Sequence, residues 1–132
     1  MKKILLVDDD QDIRHVVQML FKQEGYAVTA LAGFTNVNRQ VHEYAPDLIL
    51  LDIMLGDMDG REICKTIKED STQRSIPIII FSASDVLRDD VLTCGANDFI
   101  AKPFDITEML AKVNSLLICE ALISAQLSSY LN

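Results

Sequence analysis

Three adjacent acids, Asp8-Asp9-Asp10, follow the apolar run Ile4-Leu5-Leu6-Val7, and a second run, Leu48-Ile49-Leu50-Leu51, ends in Asp52. Packing alone does not account for carboxylates at the ends of runs apolar enough to be buried strands. Crowded together they repel one another, and protonation or a counter-charge must relieve that. A divalent cation with oxygen ligands is the natural counter-charge. Magnesium suits such a set, since it takes one or two carboxylates, several waters and a phosphate oxygen. An aspartate beside that ion can act as a nucleophile on phosphorus and become an aspartyl phosphate, a mixed anhydride. The ion offsets charge on the incoming phosphoryl oxygens.

Asp52 is the expected nucleophile, because it stands alone at its strand end. Asp8 and Asp9 form the metal side, with Asp9 the expected direct ligand. Lys102 supplies a cation for the phosphoryl oxygens; it precedes Pro103 in a tight turn after a buried strand, a poor place for a merely solvated lysine. The bond before Pro103 is a candidate for the cis form. Ser82 offers a hydroxyl, although a helix cap accounts for a lone serine nearly as well. Asp10 and Asp12 fit a plainer role near the N-terminus of the first helix.

The elements that must position these groups alternate between strand and helix. Lys3–Val7 is apolar at nearly every position, as a parallel strand covered on both faces is. Ile13, Val16, Val17, Leu20 and Phe21 then recur at helical spacing up to a stop at Gly25. A strand over Tyr26–Leu31 and a weaker helix over Thr35–Tyr44 follow, and Pro46-Asp47 breaks the chain before strand Leu48–Leu51. Past a loop with Asp57, Asp59 and Gly60, a third helix carries Ile63, Cys64 and Ile67. Strand Ile78–Phe81 comes next, then a helix over Val86–Cys94 capped by Asp85 and closed by Gly95. Asp98–Ala101 is the last strand, and Asp105 and Glu108 have the spacing of a capping box for the last helix. This alternation predicts an α/β fold, a doubly wound parallel sheet with helices on both faces. Ligands in such sheets bind at the carboxyl ends of strands. Asp8, Asp9, Asp52, Ser82 and Lys102 all fall there, delivered by four different strands.

Composition narrows the function. A chain of 132 residues with 49% apolar residues fits one globular domain. A net charge of −8 argues against nucleic acid or an anionic membrane as a direct partner. Cys64, Cys94 and Cys119 are widely spaced and form no C-x-x-C pair, so buried reduced thiols of a cytoplasmic protein are expected rather than a zinc site. No signal peptide or membrane span is expected.

Four motifs now carry a resemblance: Leu6-Val7-Asp8-Asp9; Leu51-Asp52 with Met58-Asp59-Gly60; Ser82-Ala83; and Lys102-Pro103-Phe104. In that order and spacing the chain resembles a response regulator receiver domain of two-component signalling, over about Lys2–Leu117. The resemblance implies a flavodoxin-like fold with five strands in the order 2-1-3-4-5. It implies that Asp52 accepts a phosphoryl group from a phosphohistidine on a sensor histidine kinase or histidine phosphotransfer protein. It further implies that Asp8, Asp9, Asp52 and the backbone carbonyl of Met54 hold Mg2+, and that Ser82 and Lys102 bind the phosphoryl oxygens. Ser82 and Phe99 are the implied switch residues, altering a partner-binding face made by the fourth helix, last strand and fifth helix. Gly56 stands where the family commonly has proline, so a more mobile loop after Asp52 is expected. Phe99 lacks a hydroxyl, so its switching would work by packing.

Two other functions compete. A haloacid-dehalogenase-type phosphatase also uses an aspartate nucleophile and magnesium, and Asp8-x-Asp10 superficially matches its motif, but it has no need of Asp52. A pseudo-receiver would bind partners without phosphorylation; the intact acid set and Lys102 argue against it. The expected module is therefore not an enzyme acting on a free metabolite. The receiver is expected to occupy residues 1–117. Residues 118–132 continue the last helix, with Ile123, Leu127 and Tyr130 prolonging the apolar stripe of Met109, Val113 and Leu116. That surplus surface pairs with a second copy as a homodimer contact, folds back, or begins a linker to an absent effector domain. A downstream protein target is the other route for output.

Overall fold

The computed structural model describes residues 1–83 and 92–131, with side-chain surroundings for 1–82 and 92–118. Its strands are β1 (Lys3–Val7), β2 (Ala27–Leu31), β3 (Leu48–Asp52), β4 (Met54–Leu55), β5 (Met58–Asp59), β6 (Ile78–Ala83) and β7 (Asp98–Lys102). The described helices are α1 (Gln11–Gln23), α2 (Val37–Tyr44), α3 (Gly60–Glu69) and α4 (Ile106–Leu131). The expected helix over Val86–Cys94, with its Asp85 cap, lies almost wholly outside the described residues.

Five strands form the main sheet in the order β2-β1-β3-β6-β7, which is 2-1-3-4-5 when its own strands are counted. All four pairings are parallel. The central runs are apolar at both alternate positions because helices cover both faces. On one face Val41 of α2 and Ile63, Cys64 and Ile67 of α3 pack on Leu5, Val7, Ile49, Leu51, Ile78 and Ile80. On the other, Val17 and Phe21 of α1 and Met109, Val113 and Leu117 of α4 pack on Ile4, Leu6, Leu50, Ile79 and Phe81. Each such side chain, fully buried, contributes about 1.5–3 kcal/mol relative to exposure. The strand ends are therefore set by a core that tolerates no slippage in register.

Local chemistry fixes the helix ends. The Asp10 carboxylate accepts from the N–H groups of Asp12 and Ile13, so Asp10 is the N-cap of α1. The end of α1 is closed by Tyr26 N–H to Phe21 O and Gly25 N–H to Lys22 O. The second helix starts at Val37 rather than Thr35, because Gln40 turns back to accept from the N–H groups of Thr35 and Asn36 while Asn36 caps. Asp105 caps α4 by accepting from Thr107 N–H at 2.8 Å, while Glu108 faces Lys112 at 3.4 Å. Lys112 also donates to the Phe99 carbonyl at 2.7 Å and pairs with Asp98 at 3.2 Å, which ties α4 to β7.

The segment after Asp52 is a two-stranded antiparallel hairpin rather than the expected loop, pairing Met54 with Asp59 and Leu55 with Met58. Gly56 opens its two-residue turn at φ +60°, the left-handed region such tight hairpin turns need. A proline, locked near −65°, does not fit that position.

Candidate functional site

Four strand ends converge on one rim. Asp8 directly follows β1, Asp52 is the last residue of β3, Ser82 lies near the end of β6, and Lys102 ends β7. Asp52 is part of its strand, one residue beyond the expected end, and pairs in register with Phe81. Ser82 and Lys102 likewise lie inside strands that run past Phe81 and Ala101.

One carboxylate oxygen each from Asp8, Asp9 and Asp52 lies within 4.8 Å of the other two. Asp8 is fully buried, Asp52 is 6% exposed, and Asp9 faces solvent. The Lys102 ammonium sits between the buried pair, 3.0 Å from Asp8 Oδ2 and 3.2 Å from Asp52 Oδ2. It also lies 4.8 Å from the centre of the Phe81 ring, a cation–π contact. The Lys102–Pro103 peptide bond is cis.

Electrostatics follow from this crowding. Burial raises the Asp52 carboxyl above the usual carboxylate range and Asp8 pushes the same way; Lys102 and the Met54 N–H oppose them and lose. Burial alone would lower Lys102, but the Asp8 hydrogen bond and the charges of Asp52 and Asp8 outweigh it, and the lysine titrates above its ordinary value. One ammonium stands among three carboxylates, so the acids of the pocket outnumber the cation between them. That excess of acids and the all-oxygen donor set fit a small hard dication.

The other expected site residues fall as follows. Met54 N–H points to Asp52 Oδ1 at 3.4 Å, while its side chain is 70% exposed. Ser82 is buried and lies in register with Ala101. Phe99 pairs with Ile80, two residues before Ser82, so Ser82 and Phe99 share one sheet face. Phe99 is half-buried against the α2–α3 side of the core. Asp10 is occupied as a helix cap, so the second acid of a dehalogenase-type motif is not in the pocket. Cys64 is buried but Cys94 only partly so, and Cys119 lies outside the residues whose surroundings are described. Burial and the neighbouring Cys94 push the Cys64 thiol well up.

Three contributors were not singled out for these roles in the sequence. Gly60 lies so close to the acceptor strand that a Cβ there would stand 2.2 Å from the Asp52 carbonyl oxygen. Its N–H donates to Ile53 O at 2.6 Å, which seats the start of α3 beneath the site. The Asp-Gly dipeptide before a helix was the available signal. Arg14 Nη1 donates to the Asp8 carbonyl at 2.8 Å. Phe81 reads as an ordinary core residue, and nothing in its spacing announces the lysine above it.

A doubly wound sheet with three acids and a strand-end lysine on one rim defines a class, the receiver modules of two-component signalling. The family model for the response regulator receiver domain matches residues 4–114, and the chain belongs to that family. Response regulator ArlR of Staphylococcus aureus is 39% identical over 120 residues, covering 89% of this chain and 53% of the relative. The DNA-binding dual master transcriptional regulator RpaA of Synechocystis is 34% identical over 119 residues, covering 89% of this chain and 49% of that protein. The chain thus spans about half the length of these curated relatives. Among solved structures, the BeF3-activated N-terminal receiver domain of Klebsiella pneumoniae RstA is 25% identical, with a TM-score of 0.79 over 88% of this chain and 98% of that one. No described helix is long and apolar enough to cross a membrane.

Proposed function

We propose that this receiver accepts a phosphoryl group on Asp52 from a phosphohistidine carried by a sensor histidine kinase or a histidine phosphotransfer protein. The single observation that carries the reading is the geometry of Asp52: a buried strand-end carboxylate, 3.2 Å from Lys102 and grouped with Asp8 and Asp9. In the transfer an Asp52 carboxylate oxygen attacks phosphorus; the new P–O bond forms as the P–N bond to the donor imidazole breaks, and the imidazole leaves with the electron pair. Lys102 and the Ser82 hydroxyl take the phosphoryl oxygens. Lys102 moves its charge from the two carboxylates to the incoming group with little displacement, since it already stands between them. The donors fit Mg2+, held by Asp8, Asp9, Asp52 and the Met54 carbonyl. When bound, the ion offsets negative charge on the phosphoryl oxygens.

Ser82 and Phe99 lie on one face of adjacent strands, which supports their role as the switch. Drawing Ser82 toward a phosphoryl group changes the packing next to Phe99. The output face then changes its affinity for a downstream target or effector domain, a two-state shift biased by contacts with the phosphoryl group. The receiver takes residues 1–117, and residues 118–132 are a C-terminal extension that pairs two copies, folds back on its own domain or begins a linker. Its working compartment is the cytoplasm, and its only chemistry is its own phosphorylation and dephosphorylation.

The test is intact mass after incubation with Mg2+ and acetyl phosphate. One labile phosphoryl group is expected on the wild type and none on Asp52→Asn. Labelling that survives Asp52→Asn, or none on the wild type, would overturn the proposal.

A further inference from the structure

Arg14 stands in the first turns of α1, five positions past Asp9, and is half-buried. Asp8, Asp9, Asp10 and Asp12 all lie within six residues of it, yet its Nη1 donates to a backbone carbonyl, that of Asp8, at 2.8 Å. Every other polar group of Asp8 is also fixed. Its N–H donates to Leu31 O at 3.0 Å, its Oδ1 accepts from Asp10 N–H at 2.8 Å, and its Oδ2 meets Lys102 at 3.0 Å. Asp9 differs. It is exposed, and among the described residues its carboxylate has no hydrogen bond or ion pair to hold it. On its far side the Asp10 N–H is already held by Asp8 Oδ1; on its near side Asp9 hangs from the peptide plane joining it to Asp8, whose one described hydrogen bond is Arg14's. That plane contains the carbonyl that Arg14 grips, so the orientation of the carbonyl fixes where the Asp9 Cα begins.

We propose that Arg14 is a positioning residue of the acid pocket: by holding the Asp8 carbonyl it orients the Asp8–Asp9 peptide and so aims the Asp9 carboxylate at the cation site. The inference rests on the proposed function, in which Asp9 is a cation ligand. Two physical effects of Arg14 have opposite signs. As a nearby positive charge it repels a dication, and its removal should tighten binding. As an outer partner orienting a ligand it supports binding, and its removal should weaken it, commonly by about 10- to 100-fold. The positioning effect is the larger here, because among the described residues the Asp8–Asp9 peptide has no other hydrogen bond.

The experiment compares the full chain with Arg14→Met, which keeps the apolar stem, and Arg14→Lys, which keeps the charge and one donor. Mg2+ affinity is read by calorimetric titration. The chemical shift of the Asp9 amide, whose nitrogen is bonded to the carbonyl that Arg14 grips, is read by NMR on the metal-free proteins, and thermal melts check folding. Arg14→Met is expected to bind Mg2+ about 10-fold more weakly, with a displaced Asp9 amide signal, and Arg14→Lys to recover most of the affinity. With acetyl phosphate, the Mg2+ needed for half-maximal labelling should rise while the rate at saturating Mg2+ stays near that of the wild type. Affinity equal to or tighter than wild type in Arg14→Met, or an unchanged Asp9 amide, overturns the positioning role. If Arg14→Met melts early, Arg14→Gln replaces it with the same criteria. A wild type that binds no Mg2+ overturns the function beneath it, a result distinct from any difference between the variants.

Discussion

Gly60→Ala isolates the contact that seats α3 under the acceptor strand. A methyl group there would stand 2.2 Å from Asp52 O and 2.8 Å from Ile53 Cα. Both are backbone atoms, so no rotamer change relieves the overlap, and the segments must part by about 1 Å. Parting also stretches the 2.6 Å bond from Gly60 N–H to Ile53 O beyond hydrogen-bonding range. Overpacking of this kind costs about 1–3 kcal/mol, and the lost hydrogen bond about 1 kcal/mol more. Against this, glycine-to-alanine at a compatible site gains about 0.4–1 kcal/mol through the unfolded chain. The net expectation is a loss of about 2 kcal/mol and a fall in Tm of about 8 °C for a domain of this size. Gly33→Ala is the matched control: a Cβ there meets nothing within 4 Å, so only the favourable part should remain. Urea and thermal unfolding of both variants read stability. Acetyl phosphate labelling, at a temperature where both are folded, reads function. Moving Asp52 by about 1 Å should slow labelling on the order of 100-fold. A Gly60→Ala chain as stable as wild type, or one no worse than Gly33→Ala, would refute the reasoning.

Three further outcomes follow from the same geometry, all in metal-free buffer unless stated. Burial and Asp8 raise the Asp52 carboxyl, so above the unfolded value of about 3.9 the folded chain holds more proton than the unfolded one and stability falls as pH rises; Asp52→Asn should match wild type near pH 3 and exceed it at pH 7 in urea titrations. Lys102→Met leaves the fully buried Asp8 without its ammonium and should cost about 3 kcal/mol at pH 7. Because Lys102 titrates above its ordinary value, the wild-type advantage should hold from pH 7 up to about pH 10.4 and disappear as pH rises through the folded value. Cys64, buried and with its thiol pushed up, should resist iodoacetamide at pH 8 in the folded chain and react once urea unfolds it, whereas the partly exposed Cys94 should react in both; peptide mass mapping separates the two.

The legible parts of the molecule were those written in apolar runs. Ile4–Val7, Leu48–Leu51 and Ile78–Phe81 announced buried parallel strands, and the acids and lysine ending such runs announced the rim. The strands run one or two residues past the apolar runs, to Asp52, Ala83 and Lys102, because Asp52, Ser82 and Lys102 look like boundaries while the hydrogen-bond ladder ignores side-chain polarity. The hairpin after Asp52 is illegible in the sequence, since two-residue strands leave no periodicity to detect. Arg14 and Gly60 were missed as site residues for a shared reason: each acts through the backbone of another residue. Spacing reveals side chains that converge, but not a guanidinium that turns back to a carbonyl or a glycine that lets two main chains touch.

Mapping the modified residue tests the central claim most directly. The chain is incubated with Mg2+ and acetyl phosphate, the acyl phosphate is reduced with borohydride, and the peptides are mass-mapped. Reduction of an aspartyl phosphate leaves homoserine, and it is expected at position 52 alone, the buried strand-end carboxylate beside Lys102. Homoserine at position 8, or at no position despite a folded chain with Mg2+ present, would contradict it.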